Sequence, residues 1–454
     1  MYNEEIDVIP MAEELQLDLQ YAPSLDRGNE VVLQEQKMNV LSLFSGCGGM
    51  DLGFEGGFSV LRSSVNEKLT PHFVDKKLKN GFIELKKTKF KTVFANDILN
   101  DARSAWINYF SNRGRSADSF HKESIVDLVK MHRNGINVFP KDIDIVTGGF
   151  PCQDFSVSGK RNGFNSHKNH KGELIEEDTA SVETRGQLYM WMKEVIEITQ
   201  PKIFIAENVK GLVNLGDVKS VIQRDFSSAN GNGYIVLDPQ VLHSADFGVP
   251  QSRERVIFIG IKKSALKGSA LVELEKATIP KEYNPYPSPT HSYTVKGEGL
   301  KHFVQLKEVF KHLDEPENAT DLSQKHYSKA KFMGRHCQGQ TEIKPTSIAP
   351  TIRSEHHGNI EFRRLSRENG GKIEEELAKG LRERRLTVRE CALIQTFPPD
   401  YEFVIPNSNG RRRSFLLSPS QAYKIIGNAV PPLLAYNLAK RIEEIWDLYF
   451  DTER

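Results

Sequence analysis

The chain has 454 residues, and its 61 basic and 60 acidic side chains nearly cancel, so net charge points to no particular partner. Its length suits one large domain with a smaller one. Four cysteines without a CxxC pair exclude a zinc finger and a disulfide framework, and they suit a reducing compartment. We expect no membrane span, because no run of roughly eighteen apolar residues occurs, and no secretory signal.

Residues 1–37 are polar and acid-rich, and we interpret them as an N-terminal arm. The first buried strand is predicted at residues 39–44, and it runs into the glycine-rich turn 45–49. A strand, a glycine turn and a helix start form the type of pocket that binds nucleotide-like cofactors, because glycines allow close backbone approach. The spacing is not GxGxxG, so a plain structural turn is equally compatible with this segment.

A second strand, predicted at residues 91–95, leads to Asp97, whose carboxylate can accept hydrogen bonds from a ribose diol. The lysine-rich insertion 62–90 precedes this strand and is either a solvated excursion or a contact for DNA phosphates. A third strand is predicted to end near residues 123–125, close to the cofactor. The intervening helix has a predicted core face formed by Ala102, Ala105, Trp106 and Tyr109.

Residues 142–146 predict a buried strand that leads through two glycines and Pro151 to Cys152. The glycines permit a sharp turn, and the proline fixes φ just before the cysteine. Cys152 is therefore expected at the carboxyl end of a strand, where α/β sheets bind ligands. Such a cysteine is a candidate nucleophile once its pKa is lowered, and the alternative is a small buried side chain.

A further buried strand, predicted at residues 202–206, is followed by Glu207 on the same rim as the cysteine. A buried glutamate would have a raised pKa and could share a proton with a ring nitrogen; the alternative is a helix cap. Residues 233–236 and 255–260 predict a pair of hairpin-type strands. Alternation places Gln251, Arg253 and Arg255 on one face, where the guanidinium groups need anionic or carbonyl partners, or form ordinary surface ion pairs.

The polar segment 165–183 has the composition of a mobile lid, and we expect its His167 and His170 to be solvated rather than bound to a metal. Strand–helix alternation fades between residues 262 and 346, which predicts a separate irregular domain. Side chains there that either read base edges and phosphates or form ordinary surface are Lys331, Arg335, His336, Gln338, Gln340 and Thr341.

Regular structure returns in the C-terminal part of the chain. Thr387 and Glu390 predict the capped start of one helix. A second helix, at residues 421–426, is predicted to break at Gly427, and an amphipathic helix follows at 433–448.

These motifs together resemble the DNA cytosine-5 methyltransferase family over residues 39–448, and they occur in the family's order. The motifs are Phe44-Ser45-Gly46-Cys47-Gly48-Gly49, Asn96-Asp97, Gly149-Phe150-Pro151-Cys152-Gln153, Arg185-Gly186-Gln187-Leu188, Glu207-Asn208-Val209, Gln251-Ser252-Arg253-Glu254-Arg255, Arg385-Leu386-Thr387-Val388-Arg389-Glu390 and Gly427-Asn428-Ala429-Val430-Pro431. Eight motifs in one order are not expected by chance.

The resemblance implies an α/β fold of the S-adenosylmethionine-dependent, Rossmann-like methyltransferase type. Its mixed sheet would carry helices on both faces and be joined to a small irregular target-recognition domain. The implied divisions are an N-terminal arm (1–37), a catalytic and cofactor domain (38–261), a target-recognition domain (262–384, with the variable core 262–346) and C-terminal helices that return to the catalytic domain (385–454).

The resemblance also assigns roles. It implies that Cys152 is the nucleophile, that Glu207 is the partner of the base N3, and that Arg255 holds O2 with Arg253 in support. The positions that would line the S-adenosylmethionine pocket are Phe44, Ser45, Gly46, Cys47, Gly48, Gly49, Asp97, Ile98, Ser124, Ile125, Pro151, Leu188, Asn428 and Ala429. Ile98 stands where many relatives place an aromatic ring against adenine, so aliphatic packing is expected there.

The implied chemistry explains these residue types. Attack of a thiolate on C6 of cytosine makes C5 nucleophilic, and the charge that develops on the ring needs a proton or hydrogen bond at N3 and a cation at O2. None of this is reachable inside a duplex, so the cytosine must flip out.

We therefore expect a sequence-specific DNA cytosine-5 methyltransferase that acts on double-stranded DNA as a monomer. It would use S-adenosyl-L-methionine, release S-adenosyl-L-homocysteine and need no metal. We expect it in the bacterial cytoplasm with the nucleoid, paired with a restriction endonuclease. The alternatives are an RNA cytosine-5 methyltransferase and a non-catalytic DNA-binding module. The presence of both Cys152 and Glu207 argues against the second alternative.

Overall fold

The computed structural model describes residues 37–151, 188–214, 217–294, 299–334, 336, 339–354, 360–407 and 415–451. The strands are β1 Met38–Leu43, β2 Ser59–Leu61, β3 Val74–Lys77, β4 Phe82–Leu85, β5 Phe90–Asn96, β6 Phe120–His121, β7 Ile145–Gly149, β8 Ile203–Val209, β9 Tyr234–Val236, β10 Gln240–His243, β11 Glu254–Lys262, β12 His291–Ser292, β13 Lys301–His302, β14 Phe362–Arg364, β15 Arg384–Arg385, β16 Ile405–Pro406 and β17 Phe415–Leu417. The α-helices are α1 Gly49–Glu55, α2 Asn100–Phe110, α3 Ile125–Arg133, α4 Leu188–Thr199, α5 Val218–Ser227, α6 Ala229–Asn232, α7 Gly268–Leu274, α8 Leu306–Phe310, α9 Leu322–Lys325, α10 Glu374–Ala378, α11 Val388–Ile394, α12 Pro419–Asn428 and α13 Pro432–Tyr449.

A mixed sheet forms the centre of the described fold. Its order is β10-β11-β8-β7-β1-β5-β6, and β9 also pairs with β11. The strands from β8 to β6 are parallel, whereas β8, β9 and β10 all run antiparallel to β11. This arrangement confirms the mixed sheet that the sequence predicts.

Helices cover both faces of the sheet, as predicted. Successive side chains of a strand point to opposite faces, and β1 shows this directly. Val40 belongs to the core that includes side chains of α1, α2, α11, α12 and α13, whereas Leu41 and Leu43 belong to the core that includes those of α3, α4 and α5. A parallel strand buried on both faces must be apolar at nearly every position, which is why these strands read as continuous Val, Ile, Leu and Phe runs.

The carboxyl ends of the parallel strands form one rim, where sheets of this kind bind ligands. Because β11 is antiparallel to β8, it enters the sheet at this same rim, with Arg255 opposite Val209. Pairing with β11 also extends β8 through Glu207 to Val209, three residues beyond its predicted end. β7 begins three residues later than predicted, at Ile145, after Asp142 with a left-handed φ of 57°.

The third predicted strand is shorter than expected. It ends at His121, and Ser124 instead caps α3, with its hydroxyl accepting the Val126 N–H at 3.3 Å. In the C-terminal part, Thr387 and Glu390 form the predicted capping box of α11. The following helix, α12, continues through Gly427 to Asn428 rather than breaking at the glycine.

The lysine-rich insertion is a folded element. Its strands β3 and β4 join β2, which directly precedes the insertion, in a three-stranded antiparallel sheet of order β2-β4-β3, with Ile83 and Leu85 buried. The Asn66 side-chain amide donates to the carbonyls of Thr290 and Gly299 at 2.9 Å each. Its lysines are exposed, as a solvated surface excursion predicts.

Residues 262–384 contain only short strands and helices where the structure describes them. Ion pairs of three largely buried arginines hold this region together and tie it to α11: Arg363 and Arg364 pair with Glu376, Arg364 with Glu315, and Arg384 with Glu315 and Glu390. Residues Lys37–Arg454 group as one compact unit, and the predicted domain boundaries within it stay predictions. Among the described helices none is long and apolar enough to cross a bilayer.

Candidate active site

The glycine-rich turn after β1 is tied to the end of β5 by Ser45. The Ser45 N–H donates to the Asn96 carbonyl at 2.8 Å, and the Ser45 hydroxyl accepts the Asn96 N–H at 3.1 Å. Phe44 and Gly46 both have a positive φ, of 53° and 55°, which reverses the chain at the strand end. A Cβ at Gly46 would have no neighbour within 4 Å, so the turn faces open space.

Close packing requires two further glycines in this turn. A Cβ at Gly48 would lie 2.5 Å from Phe110 Cε2, and one at Gly49 would lie 2.3 Å from the Val430 carbonyl oxygen. The Cys47 side chain is fully buried in the core, where burial raises the pKa of its thiol. Any part that Cys47 plays in the predicted pocket therefore falls to its backbone.

Asp97 lies at the end of β5, beside the glycine turn. Its Oδ2 accepts the Gly46 N–H at 3.1 Å and its Oδ1 accepts the Leu99 N–H at 2.9 Å. Burial raises the pKa of this carboxyl, and the two hydrogen bonds oppose the shift. Each carboxylate oxygen retains a second lone pair for another donor. The next residue, Ile98, is 42% exposed and places an apolar side chain at the same rim.

The remaining predicted pocket residues follow neighbouring strand ends. Ser124 and Ile125 begin α3, and the Asn96 side-chain amide ties this segment to β5 by donating to the Glu123 carbonyl at 2.8 Å. Pro151 follows β7, and Leu188 is buried as the first residue of α4. The sheet order places the ends of β7, β1, β5 and β6 side by side.

The segment after α12 completes this group. Asn428 is exposed at the helix end, and Ala429 is buried. A Cβ at Gly49 would lie 3.3 Å from Ala429 Cβ, so this segment packs against the start of α1. The fold therefore brings the predicted cofactor residues together from six separate parts of the chain.

A buried ion pair lies further along the rim. Arg255 Nε donates to Glu207 Oε1 at 2.7 Å, and each side chain is 11% exposed. Burial raises the pKa of Glu207, while the positive charges of Arg255 and Arg253 oppose that shift. A Cβ at Gly149 would lie 2.8 Å from Glu207 Oε2, so the missing side chain of Gly149 leaves room for the carboxylate.

The same strand end holds the segment that leads to Cys152. The buried Asn208 side-chain amide donates to the Phe150 carbonyl at 3.2 Å, and its oxygen accepts the Val209 N–H at 2.8 Å. Phe150 is followed by Pro151, the last described residue before the gap 152–187. Cys152, the polar segment 165–183 and its two histidines lie outside the described residues.

Gln251 and Arg253 do not share a strand face with Arg255, contrary to expectation, because β11 begins only at Glu254. Tight turns precede it: the Gln251 N–H donates to the Val249 carbonyl and the Arg253 N–H to the Gln251 carbonyl. The Arg253 guanidinium is buried and donates to the main-chain carbonyls of Ile352 and Gly427, at 3.0 and 2.9 Å.

Sequence reasoning missed several supporting side chains. They include Asn208, Gln395 and Tyr401, whose hydroxyl donates to the Cys47 carbonyl at 2.6 Å. No local pattern marks such residues, because their partners are distant main-chain groups. Conversely, Gln340 was a candidate for base reading, but it is buried and accepts the Met333 N–H at 2.9 Å.

A mixed sheet of this order, with a glycine turn after β1 and an acidic residue after β5, is typical of the Rossmann-like methyltransferase fold. The solved structure of the Entamoeba histolytica methyltransferase EhMeth supports this fold. It is 14% identical, and the match has a TM-score of 0.51 and covers 91% of this chain and 99% of that one.

The family model described as C-5 cytosine-specific DNA methylase matches residues 78–444. Among similar curated proteins is the Type II methyltransferase M.BsuRI of Bacillus subtilis, which is 32% identical over 91% of this chain and 81% of its own length. The Type II methyltransferase M.BspRI of Lysinibacillus sphaericus is also 32% identical, over 92% of this chain and 84% of its own length. The chain belongs to the C-5 cytosine-specific DNA methylase family, and its enzyme class is DNA cytosine-5 methyltransferase.

Proposed function

We propose that this protein methylates C5 of a flipped-out cytosine within one short sequence of duplex DNA, through a covalent bond between Cys152 and C6. The observation that carries the proposal is the buried Glu207–Arg255 pair, at the strand end whose Asn208 holds the segment leading to Cys152. A paired acid and guanidinium suit a neutral base that becomes negatively charged as it reacts.

Three side chains of this protein are proposed to carry separate parts of the reaction. The Cys152 thiolate forms a bond to C6, and the electron pair of the C5–C6 double bond moves into the ring toward N3 and O2. Glu207, whose pKa burial raises, supplies a proton or hydrogen bond at N3. Arg255 stabilises the developing charge at O2. After methylation a base removes the C5 proton, the C5–C6 double bond re-forms as the thiolate leaves C6, and any proton taken up at N3 returns to Glu207.

The residues at the rim fit S-adenosyl-L-methionine. Asp97 offers spare carboxylate lone pairs for the ribose diol of the cofactor, and Ile98 offers an apolar surface for its adenine. Gly46 leaves open space beside the backbone. When bound, this cofactor supplies an electrophilic methyl group. The other residues proposed to surround it are Phe44, Ser45, Cys47, Gly48, Gly49, Ser124, Ile125, Pro151, Leu188, Asn428 and Ala429.

Arg253 is proposed to support Arg255 through the backbone rather than by contact with the cytosine. The positive charge of Arg253 acts on Glu207, but its guanidinium donates to the backbone of the segment that leads to Asn428. Its support for Arg255 would therefore be exerted through the position of the chain that enters β11.

The proposed biological role is DNA protection in a restriction–modification system. Two similar proteins are named Type II methyltransferases, which supports a role in a restriction–modification system. The protein would act as a monomer on DNA in the cytoplasm, would protect host DNA from a cognate endonuclease, and would recognise its site through residues 262–384.

Methylation sequencing of plasmid DNA from cells that express the chain tests this function, with Cys152→Ala as the matched control. We expect one short motif methylated at C5 in the wild type and none in the variant. A purified wild type should also form a covalent complex with a duplex that carries 5-fluorocytosine in that motif, because fluorine cannot leave C5 as a proton does. Methylation retained by Cys152→Ala would refute the covalent mechanism, and methyl transfer to transfer RNA alone would refute the DNA substrate.

A further inference from the structure

The buried end of α12 is held by side chains from three other parts of the fold. The last four carbonyls of an α-helix have no partner within the helix, so a buried helix end must find donors elsewhere. α12 has no basic residue in its last turn. The Ala429 N–H donates to the Ile426 carbonyl at 3.2 Å, and the other donors are side chains. Cys47 Sγ donates to Ile425 O (3.4 Å), Gln395 Nε2 to Ile426 O (2.7 Å) and Ala429 O (3.4 Å), and Arg253 Nη2 to Gly427 O (2.9 Å) and Asn428 O (3.5 Å).

Gln395 is the member of this set whose amide bridges the helix to another part of the fold. It is fully buried and directly follows α11. While its Nε2 donates to the end of α12, its oxygen accepts from Gln251 Nε2 at 2.8 Å. The oxygen of Gln251, also fully buried, accepts the Ile352 N–H at 2.8 Å. Two buried amides thus form one relay from the backbone at Ile352 to the backbone at Ala429.

We propose that Gln395 is a positioning residue for S-adenosyl-L-methionine: it holds the backbone of residues 426–429 against the start of α1, so that Asn428 and Ala429 face the cofactor. The inference rests on the proposed function, which places those two residues in the cofactor pocket. The close approach of Gly49 to the Val430 carbonyl and to Ala429 explains why a small shift of this segment would matter. A glutamine that only fills the core is the competing explanation.

Gln324→Leu is a matched control for Gln395→Leu. Gln324 is also a buried glutamine: its Nε2 donates to the Asp314 carbonyl at 2.7 Å, and its oxygen accepts the Thr387 hydroxyl at 2.7 Å. It lies near the opposite end of α11, beside the capping residue Thr387. Both substitutions remove a buried amide, so thermal denaturation should show a lower melting temperature for each.

Binding of S-adenosyl-L-homocysteine to the full-length protein, measured by calorimetry, separates the two variants. We expect Gln395→Leu to weaken binding roughly tenfold, because the Ala429 carbonyl loses its side-chain donor and the Ile426 carbonyl keeps only the Ala429 N–H. The KM for the methyl donor should rise by a similar factor while the KM for DNA stays within about twofold. Gln324→Leu should leave both values unchanged. Gln251→Leu should weaken binding less and combine non-additively with Gln395→Leu.

Gln395→Glu provides a second variant of the same length in case Gln395→Leu does not fold. Its oxygen can still accept from Gln251, but an ionised carboxylate would face the carbonyl oxygens of Ile426 and Ala429. Binding of S-adenosyl-L-homocysteine to this variant should therefore weaken further as pH rises, with no matching trend in the wild type.

Unchanged S-adenosyl-L-homocysteine binding by the Gln395 variants, or equal weakening by Gln324→Leu, would overturn the positioning role. These outcomes are separable from failure of the proposed function. A wild type that binds S-adenosyl-L-homocysteine but transfers no methyl group to DNA would refute the function, and the binding comparison would still decide the role of Gln395.

Discussion

Replacing Asp51 by asparagine should make the protein's stability less dependent on pH. Asp51 lies in the first turn of α1, which directly follows the glycine turn, and is 1% exposed. Its carboxylate accepts the Ser42 hydroxyl at 2.5 Å and the Trp106 indole N–H at 2.7 Å. Burial raises the pKa of Asp51 to about 7, although both hydrogen bonds act in the opposite direction.

The direction in which pH changes the free energy of unfolding follows from the protons that the folded and unfolded states bind. Between the unfolded pKa of 3.8 and the folded pKa of about 7, the folded state keeps a proton that the unfolded chain has lost. Rising pH then favours unfolding by about 1.4 kcal/mol per unit, and the effect levels off once both states are ionised. Between pH values of about 5.5 and 7, the expected loss is roughly 2 kcal/mol in the wild type.

Asparagine should remove this loss while keeping the contacts. Its oxygen can accept from Trp106, and its amide can donate to the Ser42 hydroxyl, as a protonated Asp51 would. Urea unfolding at a series of pH values gives the free energies of unfolding, with the exposed Asp238→Asn as the control. We expect the stability of Asp51→Asn relative to the wild type to rise by roughly 2 kcal/mol between pH values of about 5.5 and 7, and to level off about one pH unit higher. A difference that does not change with pH would refute the raised pKa.

The other predictions concern the candidate active site. Glu207→Gln should lower kcat on the order of a hundredfold with unchanged DNA affinity. Wild-type activity should decline as pH rises through the raised pKa of Glu207, and a flat pH profile would contradict its role as a proton donor. Asn208→Ala should lower kcat roughly tenfold without weakening S-adenosyl-L-homocysteine binding, because the Phe150 carbonyl loses its donor; equal losses in binding would point to general destabilisation. Gly149→Ala should lower kcat with little change in melting temperature, since its methyl group displaces only the end of the Glu207 side chain; full activity in a methyl-transfer assay would show that the carboxylate position is not critical.

The predicted strands and helices agree with the structure where local pattern and burial coincide. The helix with Ala102, Ala105, Trp106 and Tyr109 is α2, and all four side chains are buried. The predicted bounds of an element are wrong where they depend on pairing with a strand that is distant in the sequence. β8 is longer than predicted because β11 pairs with it, and Gln251 and Arg253 leave the strand pattern because two tight turns precede β11.

The sequence by itself determined the order of the motifs, the apolar strands and the residue types at their ends. A buried parallel strand must be apolar throughout, and a turn beside a close-packed helix must be glycine, so both leave local signals. Only the tertiary structure decided which groups meet: Arg255 with Glu207, Asn208 with the Phe150 carbonyl, and Gln395 with the end of α12. These contacts join backbone or side-chain groups far apart in the chain, and a main-chain carbonyl has the same chemistry at every position, so nothing local in the sequence identifies the partner.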